Sequence, residues 1–314
     1  MIGYILRRLA QSILVVLVVT IIVFILLHQL PGGAARAILG PRATALQVAQ
    51  FNAANGYDQP LLVQYFRQLG EWFTGNFGFS IKLNQSVSSL LVQRLPKTII
   101  LSLLSLILTV IVAVPLGIYQ AVRRNRSFDY IATGFSFIFY AAPTFFIGII
   151  MIEVFSQNLG WFPPEAPQSN GIGPIFEQFD AMVLPIVTLA LLSIAGFSRY
   201  MRSSVLDNID QDYVRTAQAK GASPRRVLYH HVLRNALIPI ITLLGLSLPA
   251  LFAGALVTES IFNFPGMGLL FWQAAQSSDY PVELGVVIIT AFATVAGNLL
   301  ADVSLAVIDP RVKL

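Results

Sequence analysis

The sequence predicts an all-α integral membrane protein of six transmembrane helices with both termini in the cytoplasm, and three observations predict it. The 314 residues are 56% apolar with a mean hydropathy of +0.73, and only 11% are charged. A soluble domain is roughly 25% charged, so there is too little charge here to cover a water-facing surface. Six stretches are apolar for long enough to cross a hydrocarbon core of ~30 Å, which takes about 20 helical residues. The short connections between them alternate between basic and free of cations.

The first span is 9–30, in a run without charge from Arg8 to Arg36. Arg7, Arg8 and the small residues Ala34, Ala35 and Ala37 also suit a signal peptide. An apolar region of about 20 residues exceeds the 7–15 of a signal, so a retained helix is expected. The second span is 98–122 and the third is 130–157, interrupted by Glu153. The fourth lies between Asp180 and Arg199, the fifth covers 236–258, and the sixth covers 284–308 with Asp302 near its end.

Segment by segment, Lys and Arg number 2 before the first span, 6, 3, 0, 7 and 0 in the successive connections, and 2 in the tail. The positive-inside bias therefore places both termini and the loops 123–129 and 199–235 in the cytoplasm. The first connection, 31–97, is long enough to escape that rule. With the net charge of +5 explained as topology, no nucleic-acid surface is needed. The absence of Cys excludes Cys-based catalysis and a disulfide-held external domain. The whole chain, 1–314, is expected to be a single transmembrane domain.

Two connections hold structure of their own. In 31–97, the residues Leu62, Tyr65, Phe66, Leu69, Trp72, Phe73 and Phe77 recur at three and four, with Gln64, Arg67, Gln68 and Glu71 between them. This marks an amphipathic helix, lying on the bilayer surface or forming part of an external cap. In 199–235, Asp212 is placed to cap a short helix running through Tyr213, Val214, Arg215, Thr216, Ala217, Ala219 and Lys220, with Gly221 as its left-handed stop. Ser223 is placed to cap a second helix with Pro224 at its first position. Small Thr216, Ala217 and Ala219 would let a partner approach closely. A solvated basic loop serving only as a topology signal is the plain alternative.

The segment YVRTAQAKG at 213–221, followed by HHVLRNALIP at 230–239, resembles the cytoplasmic EAA loop of binding-protein-dependent ABC importer permeases. The dipeptide, oligopeptide and nickel subfamily is the most similar. Further matches follow in order: the basic start at 4–9, YDQPLLVQYFRQLG at 57–70, GNFGFS at 75–80, RLPKT at 94–98, ESIFNFPGMG at 259–268, DYP at 279–281 and DPR at 309–311. With Gly221 as the family glycine, the Glu-Ala-Ala positions fall on Arg215, Thr216 and Ala217. Arg234 stands where a proline is usual, and Pro239 follows later.

The resemblance implies a type I permease fold in a bacterial inner membrane, importing dipeptides or oligopeptides. It also implies a second homologous permease, two ATP-binding subunits that hold ATP and Mg, an external solute-binding protein, and a loop helix that docks on an ATPase subunit. Nickel, another metal chelate or glutathione-like compounds are the alternative cargoes. A secondary transporter working without ATPases is the alternative of a different class.

The residues agree that energy comes from elsewhere, because the chain has no GxxxxGK[S/T] phosphate loop. No hydrolase motif or metal-ligand spacing stands out either, so no catalytic, cofactor or metal site is expected in this chain. In the second span, Ser105, Thr109, Ala113, Gly117 and Ala121 make a small-residue stripe, as do Ala250, Gly254 and Thr258 in the fifth. Such stripes serve packing within one subunit or between two. Pro115, Pro143, Pro185, Pro239 and Pro249 are candidate kinks. Glu153 and Glu259 are candidate translocation-pathway acids, meeting a cationic group of the cargo or simply water. Asp302 is expected to cap backbone or pair with a cytoplasmic base.

Overall fold

The computed structural model describes residues 2–30, 33–40, 42–168 and 171–308; the DPR segment at 309–311 lies outside them. The first span is α1 (Ile2–Gln29), apolar around most of its circumference and widely exposed in the isolated chain, as suits a helix in lipid. The first connection folds as helices α2 (Gly33–Leu39), α3 (Ala45–Asn55) and α4 (Leu61–Phe73) and a two-residue hairpin of β1 (Phe79–Ser80) with β2 (Gln85–Ser86). α3 starts at a capping box, in which Thr44 and Gln47 satisfy each other's backbone N–H groups, and stops at Gly56 with φ +71°. α4 buries Gln64, Tyr65 and Trp72. The Tyr65 hydroxyl meets Thr20 Oγ1 at 3.0 Å, and Trp72 packs with Val23 and Ile288. The amphipathic helix is therefore part of a cap seated on the first and last spans, with Leu62, Phe66 and Phe73 left exposed.

The second span is longer than its apolar run. α5 (Val87–Val122) continues through Arg94, Pro96 and Lys97, since helix geometry outlasts the hydrocarbon-like segment. The third span is bent: α6 (Ser127–Ala141) meets α7 (Thr144–Met151), with its π-helical extension Ile152–Asn158, at 107°. Pro143 stands at the break, where it removes a helical hydrogen bond. The short α8 (Gly173–Glu177) leads to α9 (Asp180–Ile209), which keeps Pro185 within it and runs ten residues past Arg199. The 199–235 loop is thus reduced at its start to a helical extension.

Beyond it come α10 (Asp212–Ala219), α11 (Pro224–Arg226), a π-helical stretch Val227–Val232 and α12 (Leu233–Ala236). The fifth span is broken twice. It bends by 40° before α13 (Ile238–Ser247), and after α14 (Ala250–Ala253) the chain turns at Gly254, φ +81°, into α15 (Leu256–Ile261) and α16 (Met267–Ser277). The expected Ala250–Gly254–Thr258 stripe is not formed, because Gly254 ends a helix instead of lying in one. The sixth span is α17 (Tyr280–Ile308). Among the described residues, four helices are long and apolar enough to cross a membrane, and the number rises to six if each of the two bent pairs is one span.

The α5 stripe does the packing its residues allow. Ser105, Thr109, Ala113 and Ala121 are buried, and α5 packs on α9 along its length. A Cβ on Gly117 would stand 2.6 Å from the Ser198 carbonyl oxygen and 2.7 Å from Met201 Cβ. The close approach therefore lies within one subunit. Arg8 pairs with Asp302 at 3.2 Å, bringing the start of α1 and the end of α17 to the same end of the bundle.

Candidate functional site

The loop helix α10 is held by two side chains. Val214 and Ala217, three apart on one face, are buried in a cluster with Ala121, Met201, Val205, Val227, Val232 and Leu233. Tyr213, Arg215, Thr216, Ala219 and Lys220 point outward, which leaves one apolar face inside and one polar face outside. Ala217 belongs to the inner face, so it is not part of the partner-facing small surface its size suggested.

The helix starts at Gln211, whose side chain makes no cap bond. Asp212 is the first helical residue, not the cap, and its charge favours the N-terminal turn. It lies 3.5 Å from Arg215, and its carbonyl accepts from Thr216 Oγ1. At the other end, the Gly221 N–H donates to the Gln218 carbonyl and the Ala222 N–H to the Ala217 carbonyl, with Gly221 at φ +82°. These paired bonds form the Schellman stop expected of Gly221. Ser223 sits at the N-cap position before Pro224, but its hydroxyl makes no cap bond. From Pro224 the chain continues through Ala236 into the fifth span, so the loop and the membrane helix are mechanically continuous.

Two ties escaped the sequence. Arg202 on α9 forms a bidentate pair with Asp129 on α6, Nε to Oδ1 2.7 Å and Nη2 to Oδ2 2.8 Å, and the Asn125 N–H donates to the same carboxylate. Ser204 Oγ donates to the Ala236 carbonyl at 2.9 Å. Both join loop-bearing helices across more than thirty residues of sequence, and single-sequence spacing holds no signal for such pairs.

The two candidate pathway acids stand apart. Glu153 is exposed on the π-helical segment. Glu259 is fully buried in α15, away from both cargo and water in this arrangement. Thr98 Oγ1 donates to Glu259 Oε1 at 2.9 Å and accepts from the Met267 N–H at 2.8 Å. The Leu269 N–H donates to Glu259 Oε2 at 2.9 Å. A Cβ on Gly266 would fall 2.5 Å from Glu259 Cδ, so the glycines of the PGMG turn let backbone wrap the carboxylate. The RLPKT and ESIFNFPGMG segments are therefore two sides of one buried joint. Its signals in the sequence were the acid Glu259 near a span end and the glycine pair around Met267.

On the other face of the bundle, the cap gathers polar groups. His28 is bound through one ring nitrogen to the Phe24 carbonyl and through the other to Gln64 Oε1, each at 2.8 Å. Burial pushes the Tyr57 phenol above its ordinary value, the Glu71 charge adds to this, and Arg67 opposes it.

A bundle of broken and unbroken apolar helices with a helical knob at one end and a folded cap at the other defines a membrane-embedded permease subunit. Residues 113–314 match the family described as binding-protein-dependent transport system inner membrane component, and residues 1–102 match the N-terminal component of such systems. The chain is 41% identical over 315 residues, covering all of both chains, to the oligopeptide transport system permease protein AppB of Bacillus subtilis. It is 36% identical over 313 residues, covering 100% of this chain and 99% of the relative, to the glutathione transport system permease protein GsiC of Salmonella paratyphi A. A solved structure of the MetNI methionine ABC transporter shares the fold, with a TM-score of 0.58 over 70% of this chain and 96% of that one at 17% identity. The chain belongs to the binding-protein-dependent transport system inner membrane component family, and it is a multi-pass membrane permease of an ABC transport system.

Proposed function

We propose that the chain is one of two permease subunits of an ATP-driven importer that carries dipeptides or oligopeptides released by an external solute-binding protein. The observation that carries this reading is the α10 knob. Its inner face is locked to the helix bundle by Val214 and Ala217, and its outer face is free of the chain's own packing.

Tyr213, Arg215, Thr216, Ala219 and Lys220 form the docking face for an ATPase subunit, while Gly221, Ser223 and Pro224 join the knob to the fifth span. ATP and Mg belong to the ATPase partners. When two of these close together, a knob seated on each moves with them. The continuous path from Pro224 to Ala253, with its 40° bend, then converts that motion into a change of helix packing, a rigid-body shift between two arrangements. Peptide cargo rests on the full-length likeness to the oligopeptide permease protein. Glutathione, itself peptide-like, is the second reading, supported by the glutathione permease relative. Glu153 remains a pathway candidate on its exposure. Glu259 enters the pathway only if the joint around it opens.

Reconstitution with the native partners tests the assignment. ATP-dependent accumulation of a radiolabelled di- or oligopeptide is expected, and Arg215→Glu with Thr216→Trp should abolish it while the chain stays inserted. Peptide flux through this chain alone without ATP would instead establish a secondary transporter.

A further inference from the structure

Three segments that the coupling mechanism does not use converge on one cavity of about 560 Å³ beneath the cap. The 57–70 segment supplies Tyr57 and Gln68, the 75–80 segment supplies Phe77, and the 279–281 segment supplies Pro281 at the start of α17. The Ser80 hydroxyl, buried, donates to Asp279 and ties the hairpin to α17. The cavity is thus walled by the cap on one side and by a membrane helix on the other. Its volume lies within the roughly 300–1,000 Å³ of small-molecule sites.

The chemistry of the lining is one-sided. Glu71 is its charged residue, and no Lys or Arg is among the lining residues. Arg67 approaches Glu71 Oε1 only to 3.6 Å, beyond hydrogen-bond range, and both side chains are about half exposed, so that pair competes weakly for the carboxylate. Tyr57, stacked on Phe51 at 6.0 Å between ring centroids, and the buried Trp72 add aromatic faces. One negative charge and aromatic faces together suit an ammonium group attached to an apolar body.

We propose that this cavity binds the protonated amino end of a peptide, its ammonium donating to Glu71 and its first side chain lying against Phe77 and Leu284. The demand for an amine rests on the cavity. The choice of a peptide over another amine rests on the proposed function. Occupancy would brace the cap against α17, placing a cargo-sensing site outside the membrane path.

Trp72 reports on its own cavity. In a full-length Trp161→Phe/Trp272→Phe background it is the sole tryptophan, and the purified chain in detergent micelles can be titrated by fluorescence. Trileucine amide is expected to give a saturable change, and N-acetyl-trileucine amide to bind at least about tenfold more weakly. Glu71→Gln should weaken the amine peptide by about tenfold or more, with an unfolding temperature near the parent's showing that the variant is folded. No saturable change, or equal binding of the acetylated peptide, overturns the site. Peptide uptake in the reconstituted system is measured separately, so a working importer whose Trp72 ignores amines removes this site and leaves the proposed function standing.

Discussion

Thr98 does two jobs with one hydroxyl, donating to Glu259 and accepting from the Met267 amide. Thr98→Val keeps the shape and removes both bonds, leaving a buried carboxylate oxygen and a buried N–H less satisfied. About 1–3 kcal/mol of stability should be lost, read as a lower unfolding temperature of the purified chain, with Thr98→Ser restoring most of it. Gly266→Ala should be worse, because its Cβ has nowhere to go beside Glu259 Cδ. The acid itself was legible in the sequence as an oddity near a span end. Its burial was not, because the amides that enclose it belong to backbone ten residues away and the hydroxyl to another helix.

At the scale of the element, α10 was the best-read part of the chain. Its extent, its glycine stop and the proline that starts the next helix all follow from local steric rules, which do not depend on distant contacts. Gly221→Asp forces a side chain onto a backbone at φ +82°, where residues other than glycine are disfavoured. Ala217→Leu drives extra methylenes into the cluster around Met201 and Val227, a cost of about 1–3 kcal/mol. Both should displace the knob and uncouple ATP hydrolysis from uptake, measured as partner ATPase activity persisting while transport falls at least about tenfold.

The breaks of the third and fifth spans were less legible. Pro143 and Pro239 coincide with bends, whereas Pro115 and Pro185 stay inside intact helices. A proline costs a helix one hydrogen bond, and whether the helix then bends depends on the neighbours that re-satisfy the backbone.

Across the whole molecule, charge pairs tie helices that are distant in sequence. The Asp129 side chain is 3% exposed and that of its partner Arg202 is 28% exposed. Arg202→Met should therefore destabilise the chain more than Asp129→Asn, since it strands a buried charge, and a double Asp129→Leu/Arg202→Met variant should recover part of the loss. Thermal unfolding of the three variants checks the order.

Topology is testable because the natural chain has no Cys. In intact cells, Thr74→Cys should react with a membrane-impermeant maleimide, while Arg126→Cys and Gln211→Cys should react only after permeabilisation. All three positions are exposed in the isolated chain. Labelling of Gln211→Cys from outside would reverse the orientation inferred from the basic loops.

The sequence by itself determined that the chain lives in a membrane, around which residues its apolar helices are centred, and where the loop helix and its glycine stop lie; it also carries the expectation of which loops face the cytoplasm. These depend on apolar length, on the placement of Lys and Arg, and on local backbone preference, and each is written into contiguous residues. Tertiary structure alone decided that the α5 stripe serves packing on α9, that Glu259 is enclosed by RLPKT and PGMG, that Asp129 holds Arg202, and that the cap closes over a cavity shared with α17. Those outcomes join residues up to 199 positions apart. In a single sequence the partners of a buried acid or a small-residue face are set by how helices cross, and crossing depends on the whole packed bundle.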